Sequence, residues 1–186
     1  MNKTVAIIGD GGVTLGDKAY DLAYAIGREV AQAGYRVVTG GLTGVMEAAL
    51  KGAKSATRKN RSETIAILPT FDKNDASPYA EIVIPTGLDL YRNPIVVNAD
   101  AVVAVGGGSG TLSEMAHAWA LNRLIIGMTG LEGWSGTLAG KPVDKRKRYE
   151  FEDVVFAAAS AEEAVQLLDA KIDLYDRPRR PLRDRH

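Results

Sequence analysis

Residues 101–111 read Ala101-Val102-Val103-Ala104-Val105-Gly106-Gly107-Gly108-Ser109-Gly110-Thr111, and this stretch decides the fold. Five apolar residues with no polar alternate describe a strand covered on both faces, as in a parallel sheet. The turn that follows leads into Leu112-Ser113-Glu114-Met115, whose spacing predicts a helix. Free backbone N–H groups, the positive end of the helix dipole and the Ser109 and Thr111 hydroxyls meet where that helix starts, which suits an anion. Glycines at Gly106, Gly107, Gly108 and Gly110 give up backbone entropy that a merely structural turn has no need to lose.

The same alternation runs through the chain. Apolar runs at Val5–Ile8, Tyr35–Val38, Thr64–Leu68, Glu81–Ile84, Leu124–Met128 and Val154–Ala157 read as further strands covered on both faces. Helical patterns lie between them. Ala19, Leu22, Ala23, Ile26 and Val30 share one face before Gly34, and Ser160 with Glu163 forms a capping box ahead of Ala161, Val165 and Leu168. Strand–helix alternation implies right-handed βαβ units, hence an α/β Rossmann-like doubly wound parallel sheet of about seven strands with helices on both faces. Residues 1–172 read as one domain and 173–186 as an Arg/Pro-rich tail, expected to be poorly ordered. Residues 129–150 read as a long loop, with the run Asp144-Lys145-Arg146-Lys147-Arg148 solvated.

Composition narrows the function. The chain has 186 residues, 46% hydrophobic and 25% charged, enough for one well-buried domain. Lys plus Arg balances Asp plus Glu at 23 each, so no general field gathers nucleic acid or an acidic membrane surface. The absence of cysteine removes thiol catalysis and thiolate zinc sites, and two histidines, His117 and His186, make no metal cluster. No apolar run approaches a membrane span or a signal-peptide core, so the expectation is a cytoplasmic protein with neither membrane nor nucleic acid as partner.

Two other glycine turns follow strands. Gly9-Asp10-Gly11-Gly12-Val13-Thr14 has Thr14 where a dinucleotide fingerprint needs its third glycine, and the next strand ends in Thr39-Gly40-Gly41 rather than in an acid for ribose hydroxyls. No Gly-Lys-Ser/Thr of a Walker loop occurs. The turn Gly40-Gly41-Leu42-Thr43-Gly44 runs into Val45-Met46-Glu47. Close approach of a ligand and tight strand–helix packing explain its glycines equally well. Glu114 follows Thr111 by one helical turn, and the apolar stripe Leu112, Met115, Ala116 and Trp119 places it on the other face with His117. A first-turn acid favoured by the dipole and a carboxylate serving a phosphate site are the two readings.

Gly40-Gly41 with Gly44-Val45-Met46-Glu47, paired with Gly107-Gly108-Ser109-Gly110-Thr111-Leu112-Ser113-Glu114, resembles the LOG (lonely guy), or lysine decarboxylase-like, Rossmann superfamily over most of residues 4–170. The resemblance implies cleavage of the N-glycosidic bond of a nucleoside 5′-monophosphate by a phosphoribohydrolase. It also implies a phosphate at Gly107, Gly108, Ser109, Gly110 and Thr111, with Gly40, Gly41 and Gly44 in the paired turn, and catalysis by Glu114 with Arg92. Two positions depart from that pattern. Gly106 replaces a proline, and Arg92-Asn93 stands near, offset by one, where the LOG enzymes carry Arg-Lys. An Arg-Asn pair is more similar to the branch containing molybdenum-cofactor carrier proteins. That implies a bound nucleotide monophosphate or molybdopterin cofactor, Asn93 among the ligand residues, and a homodimer or homotetramer. Hydrolase and non-catalytic carrier or nucleotide sensor both remain open at this point.

Overall fold

The computed structural model describes residues 3–56 and 63–175. Strands β1 (Thr4–Gly9), β2 (Arg36–Thr39), β3 (Thr64–Leu68), β4 (Ile82–Pro85), β5 (Ala101–Val105), β6 (Leu124–Met128) and β7 (Phe156–Ala158) form one sheet in the order β4-β3-β2-β1-β5-β6-β7. Every neighbouring pair is parallel. The helices are α1 (Lys18–Gln32), α2 (Val45–Ser55), α3 (Asn93–Val96), α4 (Ser109–Ala120), α5 (Trp134–Leu138) and α6 (Ala161–Lys171).

Alternate residues of each central strand feed opposite cores. Val5, Ile7, Val37, Val103 and Ile126 pack with α1, α2 and α6. Ala6, Ile8, Val38, Val102, Ala104 and Ile125 pack with Val96, Met115, Ala118 and Trp119 of α3 and α4. Two apolar faces explain the near-continuous apolar strands, and burying both sides is the main force holding the sheet. The strand order reverses direction between β1 and β5. That makes their carboxyl ends the topological switch point, where open α/β sheets bind ligands.

The edge departs from expectation. Ile82 and Ile84 of β4 are exposed, because a short 3₁₀ turn rather than a covering helix joins β3 to β4. The segment 129–150 is likewise not all loop. Gly133 (φ 107°) turns the chain into α5, and Trp134 and Ser135 donate their N–H groups to Gly107 and Gly106. Arg148 is not solvated: its guanidinium is buried against Trp119 and paired with Asp153. Of the expected tail, Ile172–Tyr175 forms a 3₁₀ turn with Tyr175 buried, and residues 176–186 lie outside the described residues. Among the described residues no helix is long and apolar enough to cross a membrane.

Candidate functional site

The turn after β5 is built on two glycines in the left-handed region, Gly106 (φ 61°) and Gly107 (φ 86°). A Cβ on Gly107 would collide with the Thr111 side chain, so the loop folds tightly onto its own helix. Gly108 caps α4, and Leu112 is the first residue to donate back, to Gly108 O at 3.0 Å. The N–H groups of Ser109, Gly110 and Thr111 therefore precede the helix ladder and have no acceptor within it. Nothing lies within 4 Å of the Cβ positions of Gly108 and Gly110, so the space before these donors is open. Behind the turn, Ser135 Oγ accepts Gly106 N–H and donates to Met128 O, each at 2.8 Å. The cradle is braced from the rear and open at the front.

Arg92 closes a 3₁₀ turn, Asp89–Arg92, and Asn93 opens α3. This segment crosses over α4, so both residues are buried. The Arg92 guanidinium lies on Gly40, where a Cβ would stand 2.5 Å from both Nη1 and Nη2. Nη1 donates to Glu114 Oε1 at 3.5 Å, and Nε is buried without a hydrogen-bond partner. Asn93 Nδ2 reaches Ser113 Oγ at 3.5 Å. Three elements distant in sequence thus meet at one guanidinium.

Glu114 does not share an exposed face with His117. It is buried under Arg92, whereas His117 is exposed, with Nδ1 2.8 Å from Ser113 O. The covered face of α4 is Thr111, Glu114, Met115, Ala118 and Trp119, and Ala116 faces outward. The helix is rolled because a polar pair, not an apolar residue, fills the space beneath 89–93. Burial raises the Glu114 pKa to about 7, and Arg92 opposes the rise without cancelling it. Burial likewise lowers Arg92, against the pull of Glu114 and Asp89. Both shifts run against ion pairing, as expected when a 3.5 Å contact does not offset desolvation of both partners. A carboxyl near neutrality beside an anion cradle can take or give a proton at physiological pH.

The paired turn contributes differently. Gly41 (φ 77°) packs on Ala66 and Leu68 of β3, and Gly44 (φ 67°) packs on the backbone of Asp10 and Gly11. Gly40 seats Arg92, so the turn acts on the site through that side chain. One wall was missing from the sequence reading. The turn after β1 joins the others through Val45 N–H to Asp10 O at 2.9 Å and Thr43 Oγ1 to Gly11 O at 2.8 Å. Its place at a strand end is visible in the sequence, but its contacts with the 43–45 segment are long-range and leave no local signal. Further along the carboxyl edge a cleft of about 590 Å³ opens between Lys18 and Leu22 of α1 and Thr129–Gly130 after β6. Neither Arg92 nor Glu114 lines it. Among the described residues there is no group of three or more His, Asp or Glu side chains fit for a metal.

Fold and site define a Rossmann-like α/β protein with its glycine turns gathered at the switch point. The chain belongs to the SLOG cluster4 family, whose model matches residues 2–165. It is similar to the solved structure of TM1055, at 30% identity over 90% of this chain and 99% of that one, with a TM-score of 0.76. It is similar to the molybdenum cofactor binding protein of the phototrophic bacterium Rippkaea orientalis, at 29% identity over 92% and 98% of the two chains, with a TM-score of 0.74. The molybdenum cofactor carrier protein of Chlamydomonas reinhardtii matches at 26% identity over 91% and 98%, with a TM-score of 0.73. A likeness to DNA processing protein A of Helicobacter pylori, at 18% identity over 91% and 73% with a TM-score of 0.53, is one of fold alone.

Proposed function

We propose that this protein binds a phosphate-bearing cofactor of the molybdopterin class at the start of α4 and serves as its carrier. The observation that carries the reading is the open cradle: unclaimed N–H groups at Ser109–Thr111, with free space before Gly108 and Gly110. The Arg92 guanidinium, seated on Gly40 beside Glu114, adds a positive charge to the same group of turns. Similarity to molybdenum cofactor binding and carrier proteins along nine-tenths of the chain favours that cofactor among phosphorylated ligands. Titration with molybdenum cofactor, followed by oxidation and fluorescence of the retained pterin, tests it. Stoichiometric retention is the expected result. Gly108→Asp is the control: its side chain meets nothing, Asp is a good N-cap, and its charge faces the phosphate. Equal retention by wild type and Gly108→Asp, or none by either, ends the reading. The homodimer or homotetramer that goes with it is measured by sedimentation.

A second reading, a phosphoribohydrolase of nucleoside 5′-monophosphates, is favoured by Glu114 titrating at about 7 beside Arg92. Release of free base from AMP or a related monophosphate, abolished by Glu114→Gln with binding kept, supports it. No release from any monophosphate rejects it.

A further inference from the structure

We propose that Phe71 is the platform on which the planar ring of the ligand stacks. This rests on the phosphate-site reading above and assigns the opposite end of the same ligand. Phe71 is 84% exposed, yet it is held in place. A Cβ on Gly87 (φ 65°) would collide with three carbons of its ring, so the ring lies directly against the Gly87 backbone. That backbone is itself pinned. Gly87 N–H donates to Thr70 O and Asp89 N–H to Pro69 O, each at 3.0 Å. A large aromatic ring held in place and open to water presents a flat face on which a planar ligand can stack.

Its place in the fold says what binds. The segment carrying Phe71 leaves the carboxyl end of β3, on the same edge of the sheet as the cradle. Ser77 N–H ties it to Gly41 O at 2.8 Å, and the chain from Gly87 runs straight into Arg92 on Gly40. Cradle, guanidinium and ring therefore follow one another along the edge, past β5, β2 and β3. Three strand spacings, about 14 Å, separate the outer two before side chains reach inward. Asp72, next to Phe71 in sequence, and Asp89, two residues past Gly87, are exposed carboxylates on the same two loops, with Asp72 Oδ1 already accepting Asn74 N–H at 2.8 Å. Asp89 holds the left-handed region (φ 49°), a strained conformation typical of functional loops. A flat nitrogen heterocycle bearing N–H donors, such as the aminopyrimidinone shared by guanine and pterin, matches this chemistry.

Calorimetric titration with ribose 5-phosphate, which has phosphate without a ring, and with GMP, which has both, tests the assignment. Wild type binds GMP more tightly. In Phe71→Ala that preference falls roughly 5- to 150-fold, the loss of one base–aromatic stack, while ribose 5-phosphate affinity is unchanged. Phe71→Trp keeps the preference. An unchanged preference in Phe71→Ala overturns the platform, as does a change of sedimenting mass, which would make the ring a contact between copies. If wild type binds neither ligand, the platform falls, while retention of molybdenum cofactor decides the phosphate-site reading separately. If wild type binds ribose 5-phosphate as well as GMP, the platform alone falls.

Discussion

At Glu114 the sign of the pH dependence follows from burial. Its carboxyl titrates at about 7 in the folded chain, against an ordinary value of 4.5. Between those values the folded protein holds a proton that the unfolded chain has lost. Stability therefore falls as pH rises through this window, and the loss is complete above about pH 7. Glu114→Gln removes the titration, so its melting temperature relative to wild type rises between about pH 5 and about pH 8. A constant difference would place Glu114 in water instead. Gly40 gives a second prediction at this scale. A methyl group at Gly40→Ala stands 2.5 Å from both terminal nitrogens of Arg92 and moves the guanidinium off its seat. We expect phosphate-ligand affinity to fall roughly tenfold or more with the fold intact by circular dichroism, because a charged hydrogen bond is displaced. Unchanged affinity would show that Arg92 does not touch the ligand.

Among elements, the strands were legible because the central apolar runs are explained by two covering layers, and all seven fall within two residues of their expected bounds. What escaped was set by contacts across the chain. Glu81–Ile84 has the same apolar look as the central strands, and nothing local says that no helix covers it. Five residues of α5 are too few to show a period. Glu114 is buried by a segment twenty-two residues upstream, which no helical wheel of α4 can display. The cradle itself was legible, since glycine number and position are local. Its bracing was not, and that bracing carries the prediction at this scale. Ser135 is fully buried and joins Gly106 N–H to Met128 O. Ser135→Ala strands both groups, at a cost of about 1–3 kcal/mol and roughly 2–12 °C in melting temperature. Ligand affinity should fall with stability, because the loosened turn is the cradle. Lower stability with undiminished affinity would separate the two.

Across the whole molecule, one buried cation ties the far end of the site helix to the rest of the chain. Arg148 lies 3.4 Å from the Trp119 ring centre and donates to both oxygens of Asp153, at 2.7 and 2.6 Å. It also donates to Trp119 O at the end of α4, while Tyr175 OH donates to the same Asp153. The charged run that read as solvated thus supplies a clamp joining α4, the segment before β7 and the close of the described chain. Removing the cation alone leaves Asp153 buried with a phenol as partner. Arg148→Ala should cost about 3–5 kcal/mol, roughly 6–20 °C in melting temperature. Lysine cannot reproduce the forked, stacked geometry, so Arg148→Lys should recover a minor part. The decisive comparison is the pair: Arg148→Met with Asp153→Leu removes both charges and should be markedly less destabilised than either single variant, because desolvation is relieved with the attraction. If the double variant is instead as unstable as the sum of the two, charge pairing is not what holds this clamp, and ring packing on Trp119 is.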